Sequence, residues 1–212
     1  MEKLIVLLAA VVFSASGHAK SLRDLWIAMP DSLMPVLDKN LRIEFVDLKD
    51  MGVKAEVKNL LTEDCTMDTL TTDYLHMIIS ASSSCEMMLL PKSDGDSLLC
   101  VVRTFLGPEK ESEVRFYDQQ WKEVNSQEML SADVDAVDGY FKAKPDTMSE
   151  EKYLEMHAFL EPKMWHVEVS AEDKSLTFQL ALPSLPSEDK MQLSSLLVQR
   201  KLKWNGEKFN EN

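Results

Sequence analysis

Glycine is scarce in this chain, with six in 212 residues and no two of them close together. A loop that cradles phosphate with successive backbone N–H groups needs clustered glycines, so nucleotide binding of that kind is excluded. Cysteine is scarcer still: Cys65, Cys85 and Cys100 are the only three, enough for at most one internal bridge and too few for a disulfide-built secreted scaffold. Basic residues are outnumbered, 23 against 36 acidic ones, for a formal charge of −13. That balance excludes nucleic acid and anionic lipid as partners held by bulk electrostatics. Beyond the first twenty residues no apolar run approaches the roughly 20 residues needed to cross a bilayer, so no membrane span is expected.

The opening residues do carry a pattern. Glu2-Lys3, the apolar run Leu4 to Phe13, and small residues at Gly17 and Ala19 form a secretory signal over residues 1–19, with cleavage before Lys20. Ten apolar residues are too few to span, and no cysteine follows them to take a lipid. The expectation is an exported protein, periplasmic or extracellular, whose residues 20–212 form a single α+β domain.

The most apolar part of what remains runs from Tyr74 to Phe105 and reads as three antiparallel strands. Ala81-Ser82-Ser83-Ser84 punctuates the first two, and Ser93-Asp94-Gly95-Asp96 supplies an Asp-Gly turn before the third. A two-residue turn at Asp94-Gly95 would set Ser93 against Asp96 and Glu86 against Arg103. One face would then carry His76, Ile78, Cys85, Met87, Leu89, Cys100 and Val102. The other would carry Leu75, Met77, Ile79, Met88, Leu90, Leu99, Val101 and Phe105. Both are apolar, so both must be covered by helices, by a second sheet or by a partner. In that register Cys85 and Cys100 share a face about 13 Å apart, too far for a bridge, and buried thiols are expected.

Around this stretch the pattern alternates between helix and strand. Ser21-Leu22-Arg23-Asp24 has the form of a capping box for a short helix ended by Pro30, and Leu41 to Met51 reads as a second helix capped by Asn40 and closed by Gly52. Thr66–Leu70 and Val114–Trp121 add strands. Residues 122–147 form an acidic connection. Ser149 then caps a helix ending before Pro162; Trp165–Ser170 and Ser175–Leu182 make a hairpin with Trp165, Val167, Val169, Leu176, Phe178 and Leu180 inward and His166, Glu168, Thr177 and Gln179 outward. Another helix follows Ser187, and Val198–Trp204 is a strand before the turn signal Asn205-Gly206. Antiparallel sheets with helices preceding the strands are thus expected in each of two similar halves, 20–121 and 149–212.

Candidate chemistry is thin. Asp133-Val134-Asp135-Ala136-Val137-Asp138-Gly139 suggests calcium but departs from an EF-hand loop, with Val137 fifth, Gly139 one place late and Lys144 twelfth. Ser82, Ser83 and Ser84 lack the frame of a nucleophile elbow. Cys85 or Cys100 with His76 is the nearest approach to a dyad, but thiols on an apolar face are poor nucleophiles. His157, Glu161 and His166 are a zinc-like set without single-face spacing. Met87-Met88 suits core packing as well as copper. Arg200, Lys201, Lys203 and Lys208, the one basic cluster, reads as a solvated strand face near Glu168. No catalytic, cofactor-binding or metal site is assigned, and no cofactor is expected.

Four separated strings carry a resemblance: Met29-Pro30-Asp31-Ser32-Leu33, Met51-Gly52-Val53-Lys54-Ala55-Glu56-Val57-Lys58-Asn59, Val114-Arg115-Phe116-Tyr117 and Lys203-Trp204-Asn205-Gly206-Glu207-Lys208-Phe209. Together they resemble a family of exported proteins of Gram-negative gut and oral anaerobes known only as a domain of unknown function. The resemblance implies export and one family-wide domain, and brings no activity or site. Helices followed by an antiparallel sheet, twice over, are also similar in topology to β-lactamase-inhibitor-like proteins, which does not establish function. The expectation is a non-catalytic binding or protein-interaction module, its partner a protein or an apolar ligand. A carrier of an apolar small molecule or lipid, and a hydrolase or metalloenzyme whose site assembles only in space, are the alternatives.

Overall fold

The computed structural model describes residues 20–130 and 133–211; the expected signal, residues 1–19, lies outside them. The fold is α+β, with two antiparallel sheets. Helix α1 (Leu22–Ala28) opens on the expected capping box, Ser21 and Asp24 each satisfying the other's backbone N–H. Helix α2 (Lys39–Asp50) starts earlier than expected. Asp38, rather than Asn40, is its cap, because the Asp38 carboxylate accepts the Leu41 N–H at 3.0 Å. Gly52 takes the left-handed conformation just past its end, at φ +68°.

Seven strands follow in sequence order across the first sheet: β1 (Ala55–Lys58), β2 (Asp64–Leu70), β3 (Tyr74–Ser80), β4 (Ser83–Pro91), β5 (Ser97–Leu106), β6 (Lys110–Tyr117) and the short β7 (Glu123–Val124). The connection holds helix α3 (Ser126–Met129) and a 3-10 turn at Val137–Tyr140, then come α4 (Glu150–Ala158), β8 (Trp165–Ser170), β9 (Ser175–Leu180), α5 (Ser187–Leu196), β10 (Arg200–Trp204) and β11 (Phe209–Glu211). The second sheet has the order β11-β10-β9-β8.

The register of the central hairpin differs from expectation by one residue. Cys85 faces Arg103 and Glu86 faces Val102. The turn holds three residues rather than two: Lys92 N–H donates to Asp96 O, Gly95 N–H donates to Lys92 O, and Gly95 takes φ +87°. A type I turn closed by a left-handed glycine uses the same Asp-Gly pair as a two-residue turn and slips the partner strand by one place. Asn205-Gly206 likewise sits in a four-residue loop, since Trp204 pairs with Phe209.

That slip and a second one reassign the faces: Ser83 and Ser84, expected in the turn, belong to β4, and Met77 faces Cys85, which brings Leu75 and Met77 rather than His76 and Ile78 to the side of Cys85 and Met87. Leu75, Met77, Ile79, Cys85, Met87, Leu99 and Val101 share one core with Trp26, Phe45 and Trp121, under α1 and α2. Met88, Leu90, Leu98, Cys100, Val102 and Phe116 share the other with Val167, Leu176, Phe178, Leu202 and Phe209 of the second sheet. Cys85 and Cys100 are therefore on opposite faces, both free and buried. The requirement that both faces be covered is met within the chain, by helices on one side and a sheet on the other.

Arg42 anchors the helical side. It is 1% exposed and donates to Trp26 O, Leu37 O and Met29 O, while pairing with Asp31 at 2.9 Å. Those carbonyls belong to the end of α1 and the loop after it, groups with no helical partners of their own. On the other side, Trp204 Nε1 donates to Pro91 O at 2.6 Å, Ser93 N–H to Gly206 O at 3.0 Å and Lys174 Nζ to Asp73 at 2.5 Å. These bonds tie the second sheet to the hairpin turns of the first.

Candidate functional site

Most large apolar side chains are buried, which makes the exceptions informative. Leu60 is 58%, Leu61 66% and Phe105 52% exposed. Leu61 and Phe105 line one groove of about 410 Å3 at the end of the first sheet, with Pro35, Val36 and Ile79.

The groove is rigidly built. Asn59, 4% exposed, directs the β1–β2 turn: its Oδ1 accepts Leu61 N–H at 2.8 Å and Glu63 N–H at 3.0 Å, and its Nδ2 donates to Ile79 O at 3.3 Å. Thr62 takes φ +66°, a strained left-handed conformation for a β-branched residue, so that the chain turns with Leu60 and Leu61 outward. Leu60 N–H donates to Val36 O at 3.0 Å, and Arg103 donates to Leu33 O, so the loop after α1 is fixed to the sheet from both sides of the groove. Ser80 Oγ meets Ser82 Oγ at 3.1 Å and Ser83 Oγ at 2.9 Å on the rim. No periodicity marks Leu60 and Leu61 as special in the sequence, since they fall in a turn.

A second, polar cleft of about 380 Å3 lies between the sheets, lined by His76, Glu86, Lys110, His166 and Glu168 among others. Tyr74 donates its hydroxyl proton to Glu86 at 2.5 Å, and His76 Nδ1 lies 2.8 Å from both oxygens of Asp68. Burial raises the Glu86 carboxyl above its usual range, opposed by the Tyr74 hydrogen bond. Burial also lowers His166, helped by the charge of Lys110. His166 was expected to face out; instead its Nδ1 lies 3.2 Å from Ser112 Oγ, because β8 is the edge strand that leans across β6.

These groups do not make a reactive centre. Asp68 is placed to orient His76, but among the described residues no hydroxyl or thiol is hydrogen-bonded to that ring. Cys85 lies on the other face of the sheet, and burial pushes its thiol up to about 12. Cys100 is raised further by the same cause. His157 stacks on Phe141 at 3.5 Å between ring centroids, on α4, and is not brought to His166 or Glu161. Asp138 is 3.9 Å from the His157 ring rather than in an ion-binding loop. No group of three or more His, Cys, Asp or Glu side chains able to hold a metal assembles among the described residues. In the basic cluster Arg200 pairs with Glu211 at 2.6 Å and Lys201 with Asp173 at 2.7 Å, so its acidic partners are these and not Glu168.

A family described as a protein of unknown function, DUF3256, matches residues 14–209. The chain belongs to that family. Its fold is similar to a solved domain of an uncharacterized protein from Porphyromonas gingivalis W83, at a TM-score of 0.77 and 23% identity, covering 92% of this chain and 99% of that one. At that identity the likeness concerns the fold. No curated protein matches the chain. On the surface of this DUF3256 protein the apolar groove at Leu61 and Phe105 and the polar cleft at His76 and His166 are two separate concavities. No described helix is long and apolar enough to cross a membrane.

Proposed function

We propose that this DUF3256 protein is a non-catalytic interaction module that docks a partner protein in the groove between Leu61 and Phe105. The observation that carries this is the rigid outward presentation of Leu60 and Leu61 by the buried Asn59 side chain. Folding gains nothing from holding two leucines in water. Exposed apolar groups gathered at one concave place mark an interface. With a net charge of −13 the chain attracts a basic surface at long range. The partner is accordingly a protein with an apolar anchor side chain set in a basic surround, the anchor entering the groove and the charge guiding the approach.

Export belongs to the same proposal. The apolar run at Leu4–Phe13 followed by small residues supports a secreted protein acting in the periplasm or outside the cell. A likeness of layout to β-lactamase-inhibitor-like proteins, helices before sheet, agrees with a binding role and assigns no target. The alternative of a lipid carrier calls for an enclosed apolar cavity; the concavities between the sheets are instead lined by a mixture of apolar and polar side chains.

Site-specific photo-crosslinking in the native host tests the proposal. A photoreactive phenylalanine analogue in place of Phe105 is expected to give one discrete adduct, lost when Leu61→Asp is added. The same analogue in place of Met191, an exposed methionine on α5 outside the groove, is expected to give none. Equal adducts from both positions, or no adduct from Phe105, would refute the groove as the docking site.

A further inference from the structure

We infer that the free edge of β1 is a self-association surface, on which a second copy of this chain adds its own β1 antiparallel and joins the two seven-stranded sheets across a twofold axis. β1 ends the first sheet, with β2 on one side and, among the described residues, no strand on the other. The direction of its main-chain groups follows from the turn into β2. Asn59 N–H donates to Glu63 O at 2.9 Å, so Asn59 points towards β2, and alternation along the strand gives Val57 and Ala55 the same direction, opposite Cys65 and Met67. Glu56 and Lys58 therefore turn their N–H and C=O groups away from β2, onto the open edge. Leu60, next in that series, is already held, because its N–H donates to Val36 O. The open length is Lys54 to Lys58, and Lys54, Glu56 and Lys58 are all exposed.

Sheet edges are commonly protected by charged side chains, and a row of one sign would repel a second copy. Here the signs alternate, and Lys54 and Glu56 already pair with each other within the chain. An antiparallel copy centred on Glu56 would set Glu56 against Glu56 and Lys54 against Lys58, like against like. One centred on Val57 would set Lys54 opposite Leu60, where Val36 occupies the edge. A copy centred on Ala55 meets neither obstacle: Lys54 of each chain faces Glu56 of the other, with outward main-chain groups paired and charges opposed. That pairing gathers Met51 and Val53, 65% and 51% exposed, about the axis. Burial of these apolar side chains favours association, and the charges choose the register. Neither Leu61 nor Phe105 takes part, so the inference does not depend on the groove.

Sedimentation equilibrium of the full chain, from micromolar to submillimolar concentration, tests the inference with charge variants at exposed positions. The native protein is expected to pass from monomer to dimer over that range. Glu56→Lys is expected to weaken dimerisation by about tenfold or more, since like charges then meet across the edge, and Lys54→Glu is expected to weaken it likewise. An equimolar mixture of these two variants is expected to form a heterodimer of near-native affinity, because each supplies the charge that the other needs. Lys58→Glu, which faces Gly52 in this register, is expected to leave dimerisation unchanged. A monomer at every concentration, a dimer that Glu56→Lys leaves unchanged, or two variants that do not restore each other would overturn the assignment. A dimer weakened by Lys58→Glu and not by Lys54→Glu would overturn the register.

Discussion

Ser112 Oγ of β6 accepts the Val167 backbone N–H of β8 at 3.0 Å, joining an interior strand of one sheet to the edge strand of the other. The same hydroxyl lies 2.9 Å from Thr104 Oγ1 and 3.2 Å from His166 Nδ1. One small side chain thus satisfies an edge donor that no strand pairs.

Ser112→Ala is expected to destabilise the fold by about 1–3 kcal/mol, the cost of leaving a covered donor without its acceptor. Urea unfolding of the variant against the native protein measures it. A loss under a few tenths of a kcal/mol would mean that water replaces the hydroxyl.

Arg42→Met is expected to cost about 3–5 kcal/mol, because three carbonyls lose their donor at once and Asp31 loses its ion partner. Arg42→Lys should recover little of this, since an ammonium lacks the planar fork that reaches several acceptors together. Thermal melts of both variants decide the point.

Two half-buried titratable groups act in opposite directions on the pH profile. The Glu86 pKa is raised in the folded state, so its favourable contribution is present below the ordinary value near 4.5 and is lost as pH rises through the folded value. His166 is lowered, so stability is lost as pH falls from the ordinary value near 6.5 through the folded one. Glu86→Gln, which keeps an acceptor for Tyr74, is expected to raise the denaturation midpoint at pH 8 more than at pH 4. His166→Gln is expected to blunt the decline below pH 6.5. Midpoints recorded from pH 4 to 8 that move in parallel for all three proteins would contradict both assignments.

The three thiols are buried, and Cys85 is pushed up to about 12. No rapid reaction with a disulfide reagent is expected at pH 8 in the native state, and three equivalents are expected in guanidinium. A fast-reacting native thiol would reopen cysteine chemistry in this protein.

Much of the architecture was legible from residue pattern. Ser21 and Ser149 announce their helices, Gly52 marks the end of α2, and the doubly apolar run from Tyr74 to Phe105 requires the two layers that cover it. The register was not legible, because Asp94-Gly95 fits turns of two or three residues and only the Lys92–Asp96 pairing distinguishes them. That single step moved Cys85 away from Cys100 and set Arg103 beside Cys85 in place of Glu86. The groove was hidden for a different reason. Leu60 and Leu61 occupy a turn, where neither period applies, and their exposure follows from Asn59 bonding to a strand twenty residues away. Contacts such as Ser112 with Val167, 55 residues apart, leave no local trace in sequence.

The groove is tested most directly by the affinity of the partner captured at Phe105, titrated against the native protein and the Leu61→Asp, Phe105→Ser double variant at low and high salt. The prediction is a loss of about 30-fold or more in the double variant, the scale of a truncated anchor contact, and weaker binding to the native protein as salt rises. Equal affinity for both proteins, with no dependence on salt, would contradict the account.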